Sequence, residues 1–286
     1  MLEKSAPSSQ FVTDMSMRIE RHADAYTDSV TEFLEQEHGL RRRATEQPLL
    51  DLFTRHTEAV VATYDPPGIR RAGDSLVFGH LYAPVLEHTA TVTPQAITVN
   101  KLLAALIAAE VEFRGPLRLS RTQNRLLAEA YERLGPPLVQ AGLPAHAALA
   151  YRRAASLYRL DEDTDAEDRC GLALAQAKRR AQPARWKRVG GLVPDLVCGY
   201  GYRPFRMLWF VALQLVVFLG AVLLRADQPI AVTVFQVLMN YLNPLGVGDT
   251  LNLRVGGRAI FVVESYLGAV TMSVFFALLV RRWFRL

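Results

Sequence analysis

Two stretches of this chain run the depth of a bilayer almost without charge. Phe205–Leu224 is 20 residues with one charged side chain, Arg206, at its opening. Ala259–Val280 is 22 residues, again with one, Glu264. A helix rises ~1.5 Å per residue, so about 20 such residues cross a hydrocarbon core roughly 30 Å thick. A soluble core helix of that length normally keeps a polar face, and neither stretch has one. The sequence therefore predicts two membrane-spanning helices, 205–224 and 259–280. Half of the 286 residues are hydrophobic, and the apolar ones crowd into the last third. That content excludes an intrinsically disordered chain. The opening MLEKSAPSSQ has no apolar segment behind a basic start, so no cleaved signal peptide is expected.

The basic residues set an orientation. Lys178, Arg179, Arg180, Arg185, Lys187, Arg188, Arg203 and Arg206 precede or open the first span, and Arg281, Arg282 and Arg285 follow the second. Between the spans stand only Arg225, Arg254 and Arg258. The positive-inside bias predicts a multi-pass protein of the cell membrane with both termini cytoplasmic. Much of the net charge of +5 is thereby assigned to membrane orientation, and no nucleic-acid partner is expected. Cys170 and Cys198 are too few for a disulfide scaffold or a four-cysteine zinc site and read as reduced thiols.

The segment between the spans holds a third apolar stretch, Ile230–Leu242, of 13 residues. It is too short to cross and has the length of a re-entrant helix. Asn243, Pro244, Leu245, Gly246, Val247, Gly248, Asp249 and Thr250 follow. A short helix, then glycine-rich backbone, then a return is the construction of a pore loop. Irregular backbone at membrane depth is tolerable where it lines a watery path or is buried in protein. Alternating glycines let successive carbonyls aim at one axis and replace a cation's hydration shell. The C-terminal end of the short helix adds partial negative charge.

The order of these features resembles the two-transmembrane pore-loop ion channels of the potassium-channel superfamily. That family's filter reads roughly T-V-G-Y-G-D, against Pro244-Leu245-Gly246-Val247-Gly248-Asp249 here. Glu264, Gly268 four residues on, and a small and apolar run ending at Arg281-Arg282 are similar to the family's inner helix. Cys198-Gly199-Tyr200-Gly201-Tyr202-Arg203-Pro204 is similar to the lead-in of many bacterial members. The resemblance covers Cys198 to Leu286 and implies four copies around one pore in a bacterial plasma membrane. The implied permeant ions are monovalent cations, K+ or Na+, with no cofactor and no enzymatic activity. Two departures alter the filter's chemistry. Pro244 lacks the hydroxyl of the family's threonine, and Val247 lacks the tyrosine's hydrogen bond. The expectation is thus a weakly selective cation pore. The competing expectation is a membrane-anchored interaction or signalling protein whose pore fold serves assembly.

Within this frame Asp249 is either part of a carboxylate ring at the outer mouth or a solvated turn aspartate. Glu264 is expected to brace the filter from behind. Gly268 is either the bending point of the inner helix or a packing seat. Phe275, Phe276 and Leu279 are candidates for an inner apolar gate, with lipid-facing bulk as the alternative for any one of them. Gly199-Tyr200-Gly201 imitates a filter but has no pore helix before it, and reads as a turn.

Residues 1–181 show helical periodicity and almost no strand signal, predicting an all-α cytoplasmic domain. Helices are expected over 11–37, 46–63, 75–88, 94–113, 120–134, 145–160 and 166–180, with Thr93-Pro94 and Ser120-Arg121 supplying starts. Tyr131, Leu134, Gly135, Leu138, Ala147, Tyr151 and Ala154 resemble one tetratricopeptide unit within 121–180. Pro136-Pro137 is expected to break the first helix of that unit. Asp161, Asp163 and Asp165 begin like a calcium loop, but Ala166 and Leu172 stand where glycine and glutamate are needed. His80 and His88 lack helical ligand spacing, and no metal site is expected. No P-loop, nucleophile elbow or dinucleotide fingerprint occurs, and no catalytic residue is assigned. A linker or collar, 182–204, carries interface anchors Trp186, Lys187, Arg188, Tyr202 and Arg203. It joins the helical domain to the pore domain, 205–286. Only six residues follow the second span, so control is expected from the N-terminal domain through an unidentified protein or small-molecule regulator.

Overall fold

The structure, a computed structural model, describes residues 7–39, 45–64, 75–88, 98–115, 118–202, 205–224, 229–242 and 255–283. Among the described residues the chain is all-α, with no strand. It forms two compact units, Met1–Gly191 and Leu192–Leu286.

The N-terminal unit is built around one helix that water does not reach. α4 (Val99–Arg114) buries every residue from Leu102 to Glu112. A helix apolar all round has to be enclosed, and α1 (Pro7–Gly39), α2 (Gln47–Val61), α3 (Gly79–His88) and α5 (Arg121–Gln140) pack on it. α1 presents one stripe, Met15, Ile19, Ala23, Tyr26 and Val30, at the i, i+4, i+8 spacing that keeps side chains on one face. α2 does the same with Leu49, Phe53, Thr57 and Val60. Glu110 and Glu112 are buried in α4 but fully engaged. Glu110 accepts from Tyr131 at 3.0 Å, Arg114 at 2.7 Å and Arg153 at 2.8 Å. Glu112 accepts from the Tyr82 hydroxyl and the Val77 backbone N–H, at 2.9 and 2.7 Å.

α5, α6 (Pro144–Leu160) and α7 (Thr164–Ala181) pack in succession. Ser120 caps α5 with a reciprocal capping box to Gln123. Gly142, at φ 82°, turns the chain from α5 into α6. Tyr131, Leu134, Gly135, Leu138, Ala147, Tyr151 and Ala154 are all buried along the α5–α6 contact. Gly135 is the closest point: a Cβ there would stand 2.1 Å from the Tyr151 ring. The aromatic ring therefore fills a space that glycine leaves.

Three sequence expectations need correction. α5 runs unbroken through Pro136-Pro137 to Gln140. The prolines cost two backbone bonds, but Leu134 and Leu138 are buried on either side and hold the helix. α4 starts after Thr98, not at Pro94, and Thr93-Pro94 lies outside the described residues. α3 starts at Gly79, after a turn, not at Ser75. The acidic run has a structural job: the Asp163 carboxylate caps α7 by accepting from the Ala166 N–H at 3.0 Å, and Asp161 pairs with Arg121 at 2.5 Å. α8 (Arg185–Gly190) ends this unit.

The second unit opens with α9 (Leu192–Cys198) and a 3-10 turn, Gly199–Gly201, whose three residues take positive φ of 54°, 54° and 86°. Tyr200 adopts there a conformation usually left to glycine. α10 (Arg206–Leu223), the short α11 (Ile230–Leu242) and α12 (Val255–Trp283) then pack on one another. Their shared apolar core is small: Val222, Val237 and Phe261. Two helices in it are long and apolar enough to cross a membrane, Arg206–Leu223 and Ala259–Val280, and only 11% and 22% of those windows is buried. Large apolar side chains point outward all along them, Trp209 at 80% exposure and Val216 at 67% among them.

Candidate functional site

Among the described residues of the second unit, Asn240, Tyr241, Glu264 and Thr271 are buried where its three main helices meet, and Gln214 is half-buried beside them. α11 supplies two of the central groups. Asn240 Nδ2 donates to Glu264 Oε2 of α12 at 3.0 Å and to the Phe261 carbonyl at 3.0 Å. Glu264 is wholly buried, and among the described residues its second oxygen, Oε1, has no partner; neither has the buried Gln236 Oε1 of α11. One residue on, the Tyr241 hydroxyl donates to Gln214 Oε1 of α10 at 2.6 Å, and Thr271 of α12 donates to the same oxygen at 3.2 Å. A carboxamide oxygen has two lone pairs, and here two helices use them. The Tyr241 main chain and ring sit over Gly268: a Cβ on Gly268 would come within 3.2 Å of the Tyr241 carbonyl and 3.3 Å of its ring.

The last turn of α11 is therefore pinned on two sides. Glu264 holds Asn240, and Gln214 with Thr271 holds Tyr241, directly before residues 243–250. Those residues, the expected filter of Asn243, Pro244, Leu245, Gly246, Val247, Gly248 and Asp249, lie outside the described residues, as does Arg203. Glu264 lies against α11, one turn short of that segment. Gly268 is the seat of Tyr241, and α12 is one helix from Val255 to Trp283.

The remaining candidates are dispersed. Phe275 is buried and Phe276 is 56% exposed, with ring centroids 5.9 Å apart, while Leu279 is half-buried. Consecutive positions on a helix point about 100° apart, so in one copy the two phenyl groups do not share a face. In the first unit Trp186 is 74% exposed, Lys187 Nζ lies 5.5 Å from the Trp186 ring, and Arg188 donates to the Gln182 carbonyl at 3.0 Å. Tyr202, in the second unit, is half-buried. Among the described residues no three His, Cys, Asp or Glu side chains gather to hold a metal ion.

Sequence reasoning missed Gln214, Asn240, Tyr241 and Thr271. A signal existed for one of them, since Gln214 is the lone amide in the apolar run 207–224. A polar side chain in such a run needs an internal partner. No family model, no curated protein and no solved structure matches the chain.

Proposed function

We propose that this chain is the subunit of a homotetrameric, weakly selective monovalent-cation channel of a bacterial plasma membrane, under the control of its N-terminal helical unit. In this reading α10 and α12 span the bilayer with both termini cytoplasmic, α11 is the re-entrant pore helix, and residues 243–250 form the filter. The observation that carries it is the polar clamp at the end of α11. A membrane anchor has no use for a buried carboxamide–carboxylate pair, which costs desolvation and stabilises only if it fixes something. Here it fixes the helix that leads straight into a Gly-x-Gly-Asp segment. The outward apolar surfaces of α10 and α12 support the bilayer as solvent, because soluble units rarely expose apolar patches of that extent. One loop cannot surround an axis, so the pore needs a closed ring of copies.

The N-terminal unit then acts as the receiver of a protein or small-molecule signal. A hollow of about 180 Å³ between α5, α6 and α7, lined in part by Tyr151, Gln176 and Arg180, is one place for such a regulator.

Single-channel recording from purified protein in planar bilayers tests the reading, with potassium against sodium and Gly246→Ala as control. Discrete current steps that the substitution abolishes are expected, with a reversal potential between the two ions' equilibrium values. A cyclic oligomer silent under every gradient would overturn it in favour of the anchored interaction protein, a reading that the altered residues Pro244 and Val247 favour.

A further inference from the structure

Three of the six histidines gather where α1, α2 and α6 meet. His22 Nδ1 of α1 lies 3.0 Å from His56 Nδ1 of α2, with the rings edge-on and 5.3 Å apart. Tyr26, one turn along α1, places its ring 5.6 Å from His56. Its hydroxyl reaches Leu49 O at 2.9 Å and the buried His146 Nε2 of α6 at 2.6 Å. Both His22 and His56 are half-buried, open to protons from water.

Two ring nitrogens at this distance share a single hydrogen: one Nδ1–H donates and the other Nδ1 accepts. A proton added to the far nitrogen of the donor ring leaves that bond in place and strengthens it by charge. A proton added to the acceptor removes its lone pair and sets two N–H groups head to head. The contact thus survives a pair charge of zero or one and fails at two.

We propose that the His22–His56 pair is a proton-binding site whose second protonation releases α1 from α2 in the N-terminal unit. The proposal does not depend on the pore reading, since it concerns a joint within that unit alone. Among the described residues neither His22 nor His56 pairs with a carboxylate, and the acidic groups of the surrounding elements are engaged elsewhere. On the α6 side, His146 Nδ1 faces Glu46 Oε2 at 3.6 Å, and that oxygen already accepts the Ala145 N–H at 2.9 Å. From α4, Asn100 holds Asp24 of α1, and Arg114 reaches Glu58 of α2 at 4.0 Å. Glu110 and Glu112 of α4 are taken by Arg153 and Tyr82. Burial first, and then the neighbouring His22, hold His56 below the ordinary histidine value. The unfolded chain therefore takes that proton more readily than the folded one. Stability from the joint is complete above the unfolded value of about 6.5 and is lost as the pH falls below it.

The test uses the full chain in detergent micelles, with its histidine rings carbon-13 labelled and titrated by NMR from pH 8 to 4.5. Backbone hydrogen exchange is followed in parallel and corrected for the intrinsic pH effect. The pair should take up its two protons in separate steps at least about one pH unit apart, as coupled sites do. At the second step the amides of residues 15–30 and 49–60 should lose protection about tenfold. His22→Gln and His56→Gln should each abolish that step, because glutamine keeps a hydrogen-bonding group but does not titrate. Both histidines titrating together at the free value would overturn the proposal. So would an exchange step that persists in both variants, which would place the acid response outside the pair. If one variant does not fold, the other and the unmodified chain's titration still decide.

Discussion

The Tyr241 hydroxyl and the Gln214 side-chain oxygen lie 2.6 Å apart, joining the short helix α11 to α10 across 27 residues of sequence. Interhelical hydrogen bonds in membranes average about 0.6 kcal/mol by double-mutant cycles. Tyr241→Phe and Gln214→Leu should each destabilise the protein modestly, and together by less than their sum. Thermal unfolding in detergent measures this; strictly additive losses would mean the two groups do not interact.

Gly268 is the seat for Tyr241, and the fit is close enough to discriminate by size. Alanine would place a Cβ 3.2 Å from a main-chain oxygen, which cannot swing aside as a side chain can. Gly268→Ala should fold with a loss of roughly 1–3 kcal/mol, and Gly268→Leu should misfold. Size-exclusion chromatography separates the outcomes, and a leucine variant that elutes like the unmodified protein would refute the close contact.

In the N-terminal unit, Gly135→Ala would drive a methyl group to 2.1 Å from the buried Tyr151 ring. Displacing that ring should cost on the order of 2–4 kcal/mol. Gly135→Ala combined with Tyr151→Leu should be more stable than Gly135→Ala alone. The comparison is a pair of urea melts, and no rescue would mean the strain lies elsewhere.

Glu110 is the buried counter-charge for Arg114 and Arg153 and the acceptor for Tyr131. Removing one partner of such a group typically costs about 3–5 kcal/mol, because the other charge stays behind. Glu110→Leu should unfold the unit at moderate temperature, and adding Arg153→Met should restore part of the loss. Circular dichroism melts read both.

The two thiols should differ in reactivity. Burial, then the nearby Glu132, pushes the Cys170 thiol up to about 12, which leaves almost none of the reactive thiolate at neutral pH. Cys198 is half-buried beside the Pro194 carbonyl at 3.4 Å. Maleimide labelling of the native protein at pH 7.5 should reach Cys198 within minutes and Cys170 only after denaturation. Equal rates would show that α6 and α7 open readily.

Helices were legible from sequence wherever burial imposed a period. The stripe that holds Met15, Ile19, Ala23, Tyr26 and Val30 carries the period of α1, and Ser120-Arg121 marks the start of α5. Pro136-Pro137 misled because local backbone preference was set against packing that lies in another helix. The clamp around α11 was half legible. Glu264 stood out as a lone charge in an apolar run, whereas Thr271 and Tyr241 are ordinary residues there until Gln214 gives them a partner. The His22–His56 contact joins positions 34 apart and leaves no spacing signal at all.

α6 begins at Pro144 after Leu143, a residue that offers no cap of its own. Its first free amide, Ala145 N–H, is satisfied by Glu46, 99 residues earlier. The α5–α7 layer therefore does not carry everything it needs to start correctly. A chain begun after residue 46 would leave that amide unanswered and α6 fraying at its first turn. The layer and the segment that carries Glu46 are one structural unit, and dividing the chain between them would cut a helix from its own start.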